Sequence, residues 1–146
     1  MINLVKLAVG IQDYDHLVTR QQERLKQAQG KGGAGKLCHL TRNAPRRAEE
    51  VLDGGSIYWV IKGFVGARQR IVEIEQITDQ EARKRCSLVL DPKLVPTQIR
   101  SMRAFQGWRY YEPSQAPADT DGGAGRLKSG DIPDSMAAEL RNLGLL

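Results

Sequence analysis

Cysteine, histidine and aromatic residues are all scarce in this chain, and each scarcity removes a class of function. The 146 residues hold two cysteines and two histidines, with only 5% aromatics. Cys38 and Cys86 form no CxxC pair, and His16 and His39 share no local spacing with them. A zinc site built from clustered ligands therefore has no motif to rest on. Each cysteine sits in an apolar stretch, LCHL or CSLVL, where cysteine packs as a small hydrophobe. Reduced thiols in a cytoplasmic protein are expected rather than a disulfide. No run approaches the roughly 20 apolar residues of a membrane span, so no membrane partner is expected. The opening MINLVKLAVG lacks the long apolar region and cleavage site of a signal peptide and reads as a first strand.

The chain does carry a mild cationic excess, with formal net charge +5 and an isoelectric point near 9.4. Its size suits one domain over residues 1–146 with a self-sufficient core. Residues 2–9 are β-prone. Asp13 opens a helix whose apolar stripe is Tyr14, Leu17, Val18, Leu25 and Ala28. The glycine-rich run 30–35 ends it. That run has no preceding strand and no GK[ST], so it is rejected as a nucleotide loop. Residues 37–41 read as a strand. Asn43 caps a second helix, with Pro45 in its first turn, running to about Leu52.

Residues 57–65 alternate, with Ile57, Trp59, Ile61 and Val65 on one face and Tyr58, Val60, Lys62 and Phe64 on the other. Gly63 and Gly66 are read as a bend or bulge. A long strand follows over 68–77, with Arg68, Arg70, Val72 and Ile74 on one side and Gln69, Ile71, Glu73 and Glu75 on the other. Residues 78–83 form a hairpin turn and 86–90 the returning strand, which Asp91-Pro92 breaks. Residues 97–111 add extended segments interrupted at Gly107. Residues 116–130, rich in Pro, Gly, Ala, Asp and Ser, read as a mobile linker, and 131–146 as a C-terminal helix. The expectation is an α+β fold: a mostly antiparallel five- or six-stranded sheet or open barrel, with about three helices.

LVKLAVG, HLTRNAPRRAEEVLDGGSIYWVIKG, ARQRI, RCSLVLDP, FQGWRYYEP and AAELRNLGLL together span almost the whole chain. On these segments the sequence resembles the alphaproteobacterial family grouped as domain of unknown function 1489. The resemblance implies no activity. A weaker similarity of pattern, a turn followed by an apolar and then a long strand, is to PUA-like RNA-binding barrels.

The candidate ligand-binding set is Arg42, Arg46, Arg47, Tyr58, Lys62, Arg68, Arg70, Trp108 and Arg109. Arginines beside aromatics suit phosphate contact plus base stacking, so the leading expectation is binding of RNA or another polyanion, without a cofactor. Arg46 and Arg47 at a helix start make sense beside a bound anion, although pairing with Glu49 or Glu50 accounts for them as well. Trp108 and Tyr110 are expected on one side of a strand and Arg109 on the other, near Arg68 or Arg70. Two further readings compete. One is an enzyme holding a small anion at residues 43–50, with His39 or a glutamate as base. The other is an interaction module exposing Phe105, Trp108 and Tyr111 as an apolar patch.

Overall fold

The computed structural model describes residues 1–30, 36–103 and 105–120. Eight elements follow in chain order: β1 Asn3–Leu7, α1 Tyr14–Gly30, β2 Leu37–Thr41, α2 Ala48–Leu52, β3 Ser56–Ile61, β4 Phe64–Thr78, β5 Lys84–Ser101 and β6 Trp108–Tyr111. The fold is α+β, a six-stranded open sheet in the order β2-β5-β4-β3-β1-β6. Only β1 and β3 run parallel; the other four pairings are antiparallel. The described residues hold two helices rather than about three. The glycine-rich run at 31–35, the expected linker beyond residue 120 and the expected helix over 131–146 lie outside them.

Two turns and bulges decide which side chains meet. The run 57–65 is two strands rather than one bent strand. Lys62 and Gly63 both have positive φ, 49° and 87°, the conformation of a two-residue hairpin turn of type I′. The reversal pairs Ile61 with Phe64 and Val60 with Val65. Phe64 therefore joins the Ile57/Trp59/Ile61 face and Val65 the Tyr58/Val60 face, the opposite of simple alternation. A second inversion comes at Val72. Ile71 pairs with Leu90 and Glu73 with Val89, leaving Val72 as an extra, half-exposed residue. Ile74 consequently packs with Ile71 on the first core.

β5 runs straight through Asp91-Pro92, where a break is expected from the sequence. Gln69 pairs with Leu94 and Ile71 with Leu90, so residues 91–93 bulge outward opposite Arg70. A proline is tolerated there because a bulge leaves its missing N–H unneeded. Asp91 Oδ1 accepts the Lys93 N–H at 2.9 Å and fixes the bulge.

Both faces of the sheet are covered. One packs on α1, as its apolar stripe predicts. Asp13 Oδ1 caps the helix by accepting the His16 N–H at 2.8 Å. Tyr14 and Leu17 then pack into a core with Leu4, Ile57, Trp59 and Phe64. Inside it lies fully buried Gln69. Its Oε1 accepts from Gln21 Nε2 at 2.7 Å and from Trp59 Nε1 at 3.2 Å. Its Nε2 donates to Gln21 Oε1 at 2.9 Å and to the Asp91 carbonyl at 2.8 Å. That uses every donor and acceptor of the amide.

The opposite face holds a smaller core of Val5, Tyr58, Val60, Val65 and Tyr111, with the Tyr58 and Tyr111 rings edge-to-face at 5.3 Å. Residues 112–120 cross this side as a strap and join the free side of β5. The Gln98 N–H donates to the Ala118 carbonyl at 2.8 Å and the Thr120 N–H to the Pro96 carbonyl at 2.9 Å. Arg68 clasps the strap through a two-pronged pair with Asp119, at 2.6 and 2.7 Å.

Two stability predictions follow from these elements. Gln69→Leu strands the Trp59 N–H, the Gln21 amide and the Asp91 carbonyl, and is expected to lower unfolding free energy by about 3 kcal/mol or more in urea titration. Lys62→Asn, which tolerates positive φ better, is expected to raise it by roughly 0.5 kcal/mol.

Candidate functional site

β2 and β6 are the two edges of the sheet, yet the sheet curls until they face each other. The His39 ring on β2 meets Trp59 on β3 edge-on at 5.1 Å, although β5 and β4 lie between those strands in the sheet order. Where backbone pairing stops, the segment after β2 bridges the gap. Trp108 Nε1 donates to the Asn43 carbonyl at 3.0 Å, and the Arg47 N–H donates to the Tyr110 hydroxyl oxygen at 3.0 Å. The rings of Trp108 and Tyr110 meet edge-on at 5.1 Å.

Over this seam opens a basin of about 1020 Å³. Lys6, Arg42 and Arg46 line it together with Gln106, Trp108 and Tyr110, and no carboxylate is among the described lining residues. Lys6 stands in register between Trp59 and Trp108, and burial lowers its ammonium pKa from the ordinary value. None of the three cations makes an ion pair among the described residues. Gly107, at φ 70°, turns the chain just before β6, so Trp108 and Tyr110 share one sheet face and Arg109 takes the other, as the alternation predicts.

The structure thus gathers Arg42, Arg46 and Trp108 from the expected set and adds Lys6, Gln106 and Tyr110. Lys6 carried a signal in the sequence: it is the cation on the otherwise apolar Ile2/Leu4/Ala8 side of the strand. The other expected residues lie elsewhere. Arg47 flanks the basin, but its guanidinium is spent on Glu50, at 2.5 and 2.9 Å, and sits 5.3 Å from the Tyr110 ring centre. The Glu50 contact raises the Arg47 pKa and lowers that of Glu50. Tyr58, expected at the surface, is 7% exposed, and burial raises its phenol pKa. Lys62 forms the hairpin tip. Arg68 is committed to Asp119 and to Ser56 Oγ at 3.0 Å, which raises its pKa and lowers that of Asp119.

Arg70 is exposed on β4. Arg109 lies 4.5 Å over the Phe105 ring on the other sheet face. It occupies the same row as Arg68 through Val5 and Tyr58, with two strands between, roughly 14 Å at ordinary strand spacing. The expected convergence of Arg109 with Arg68 or Arg70 is therefore not formed, and the arginines do not make one surface.

The alternative sites are also resolved. α2 begins at Ala48 with Arg47 at its cap position, so Asn43 and Pro45 precede the helix rather than start it. His39 lines a separate, smaller cavity whose described lining includes none of residues 43–50. Glu73 and Glu75, side by side as expected, both hold Lys36, at 3.2 and 3.6 Å, and raise its pKa. The apolar patch is not assembled either: Tyr111 is buried and Phe105 packs with it, while Trp108 faces the other way. Cys38 is exposed, Cys86 is buried, and both are free thiols.

A family model described as "protein of unknown function (DUF1489)" matches residues 4–146. The chain belongs to this family. No curated protein and no solved structure matches it, so the PUA-like pattern gains no support from comparison. No described helix of this DUF1489 member is long and apolar enough to cross a membrane.

His39 provides a measurable test of the curled architecture. Burial, then Lys6 and Arg24, lower its pKa to about 4. The unfolded chain takes up this proton near pH 6.5 and the folded chain only near 4. The folded state is therefore favoured above pH 6.5, loses that advantage as pH falls towards 4, and changes no further below. The loss is expected to reach about 3 kcal/mol, and His39→Gln is expected to remove that part of the pH dependence in urea titrations.

Proposed function

We propose that this protein binds single-stranded nucleic acid, RNA in particular, in the seam basin. The observation that carries the reading is the composition of the basin wall: Lys6, Arg42 and Arg46 with no carboxylate among the described lining residues, beside two aromatic rings. Uncompensated cations in an open groove suit phosphates. Trp108 and Tyr110, both half-buried, offer edges and partial faces against which bases pack. The basin is open and mostly polar, and a flexible strand laid along it satisfies several cations at once. Arg47, Arg68 and Tyr58, bound up in the fold, are not contacts in this reading. Free thiols at Cys38 and Cys86 agree with a cytoplasmic location, which belongs to the same proposal.

The test is fluorescence anisotropy of a labelled oligouridylate against the full chain. Three phosphate contacts on a single strand give a log–log salt slope near −2, so affinity is expected to fall about twentyfold when salt rises fourfold. Arg42→Ala and Arg46→Ala are each expected to make that slope shallower by about 0.7, while Arg70→Ala, on the far side, leaves it unchanged. Absence of binding at low salt, or equal loss in all three variants, would sink the reading.

A further inference from the structure

Beside the basin and sharing Lys6 with it lies a second space, between α1 and the start of β2, with a volume of about 110 Å³. Its walls are apolar: Ile11, Leu17, Leu37, Trp59 and Leu90. Gln21 and Cys38 also line it, and its charged groups are of one sign. Lys6, Arg20 and Arg24 line it, the two arginines exposed, and no Asp or Glu is among the described lining residues. At the bottom is His39, pinned edge-on against Trp59. Its Nε2 is the buried side-chain nitrogen or oxygen that has no hydrogen-bond partner among the described residues. Gln21 is not available to it, since the Gln21 amide is turned to Gln69.

Three cations line the cavity with no carboxylate among the described lining residues, a repulsion that an anion removes. We propose that this cavity binds a small carboxylate with a compact apolar body, the carboxylate facing Lys6, Arg20 and Arg24 beside the His39 ring. The apolar walls exclude a purely inorganic anion as the best fit, because a hydrated ion leaves them unsatisfied. The volume bounds the body from above, since benzene occupies a cavity of about 150 Å³. A chain of three or four carbons is the fitting class. His39 is then a ligand-binding group rather than a catalytic base.

This inference goes beyond nucleic-acid binding and stands without it. The two sites share only Lys6; Arg20, Arg24 and His39 belong to the cavity, whereas Arg42 and Arg46 belong to the basin. The experiment is NMR of the full chain with ring-labelled histidine, titrated with butyrate at constant ionic strength made up with chloride. His16, whose Nδ1 accepts the Gln12 N–H at the start of α1, is the internal control. The expected result is a saturable shift of the His39 ring signals at millimolar butyrate with His16 unmoved. The His39 titration midpoint should also rise from about 4, because a nearby anion favours the imidazolium. Arg20→Gln with Arg24→Gln, exposed positions that leave folding intact, is expected to weaken apparent butyrate affinity about tenfold, and Arg42→Ala to leave it unchanged. No movement of His39, movement that merely parallels His16, or full affinity in the Arg20/Arg24 variant overturns the proposal. Loss of oligouridylate binding in Arg42→Ala with butyrate binding retained separates the fate of this site from that of the basin.

Discussion

One amide holds the architecture in register. Gln69 is fully buried in the middle of the sheet, and its four hydrogen bonds run to α1, to β3 and to the β5 bulge. An apolar side chain there would fill space without caring where Asp91 turned its carbonyl or which way Trp59 pointed. The amide does care, because each unmet bond in the interior costs more than a met bond contributes. The bulge at residues 91–93 aims that carbonyl inward, the helix is fixed at one depth by Gln21, and Trp59 is fixed in the orientation that meets His39. The curl of the sheet, and so both cavities, depends on this agreement.

The sequence made the element inventory legible because periodicity reports local geometry. β2 lies at the expected residues, the 78–83 turn ends where it should, and Asp13 caps α1. What it could not report was side-chain parity across irregularities. Lys62 is an unusual residue for a type I′ turn, so the hairpin looked like a bend. One extra residue at Val72 reverses a face without any local mark. Asp91-Pro92 reads as a breaker in isolation and becomes tolerable only because Gln69 rewards the bulge from the neighbouring strand. The α2 start shifted for a similar reason: Pro45 suits a first turn, but the Trp108 bond to the Asn43 carbonyl and the Tyr110 bond to the Arg47 N–H hold that segment as bends and turns ahead of the helix.

The same distinction explains the site. Arginine density along the chain suggested one basic surface, yet three of those six guanidinium groups are engaged within the fold, Arg47 by Glu50, Arg68 by Asp119 and Arg109 over Phe105. The Arg68–Asp119 pair joins residues far apart in sequence, which no spacing rule anticipates. Arg42, Arg46 and Trp108 did come together, through the meeting of the two sheet edges, and Lys6 joined them from a strand that reads as plain core. Charge gathered over the seam where the fold left it without a counterpart among the described residues.

The pairing of β6 with β1 carries a consequence for the chain as it is made. Asn3 finds Tyr111 and Lys6 finds Trp108, so β1 is made long before β6, the strand that covers its outer edge. The β4–β5 hairpin, local in sequence, can assemble early, whereas β1 leaves the ribosome with an open row of backbone donors and acceptors. An uncovered edge is the part of a sheet that recruits other chains. Lys6, placed on that edge strand and only half-buried, keeps a charge there during the interval, and so the residue that joins the two cavities in the finished molecule also guards the unfinished one.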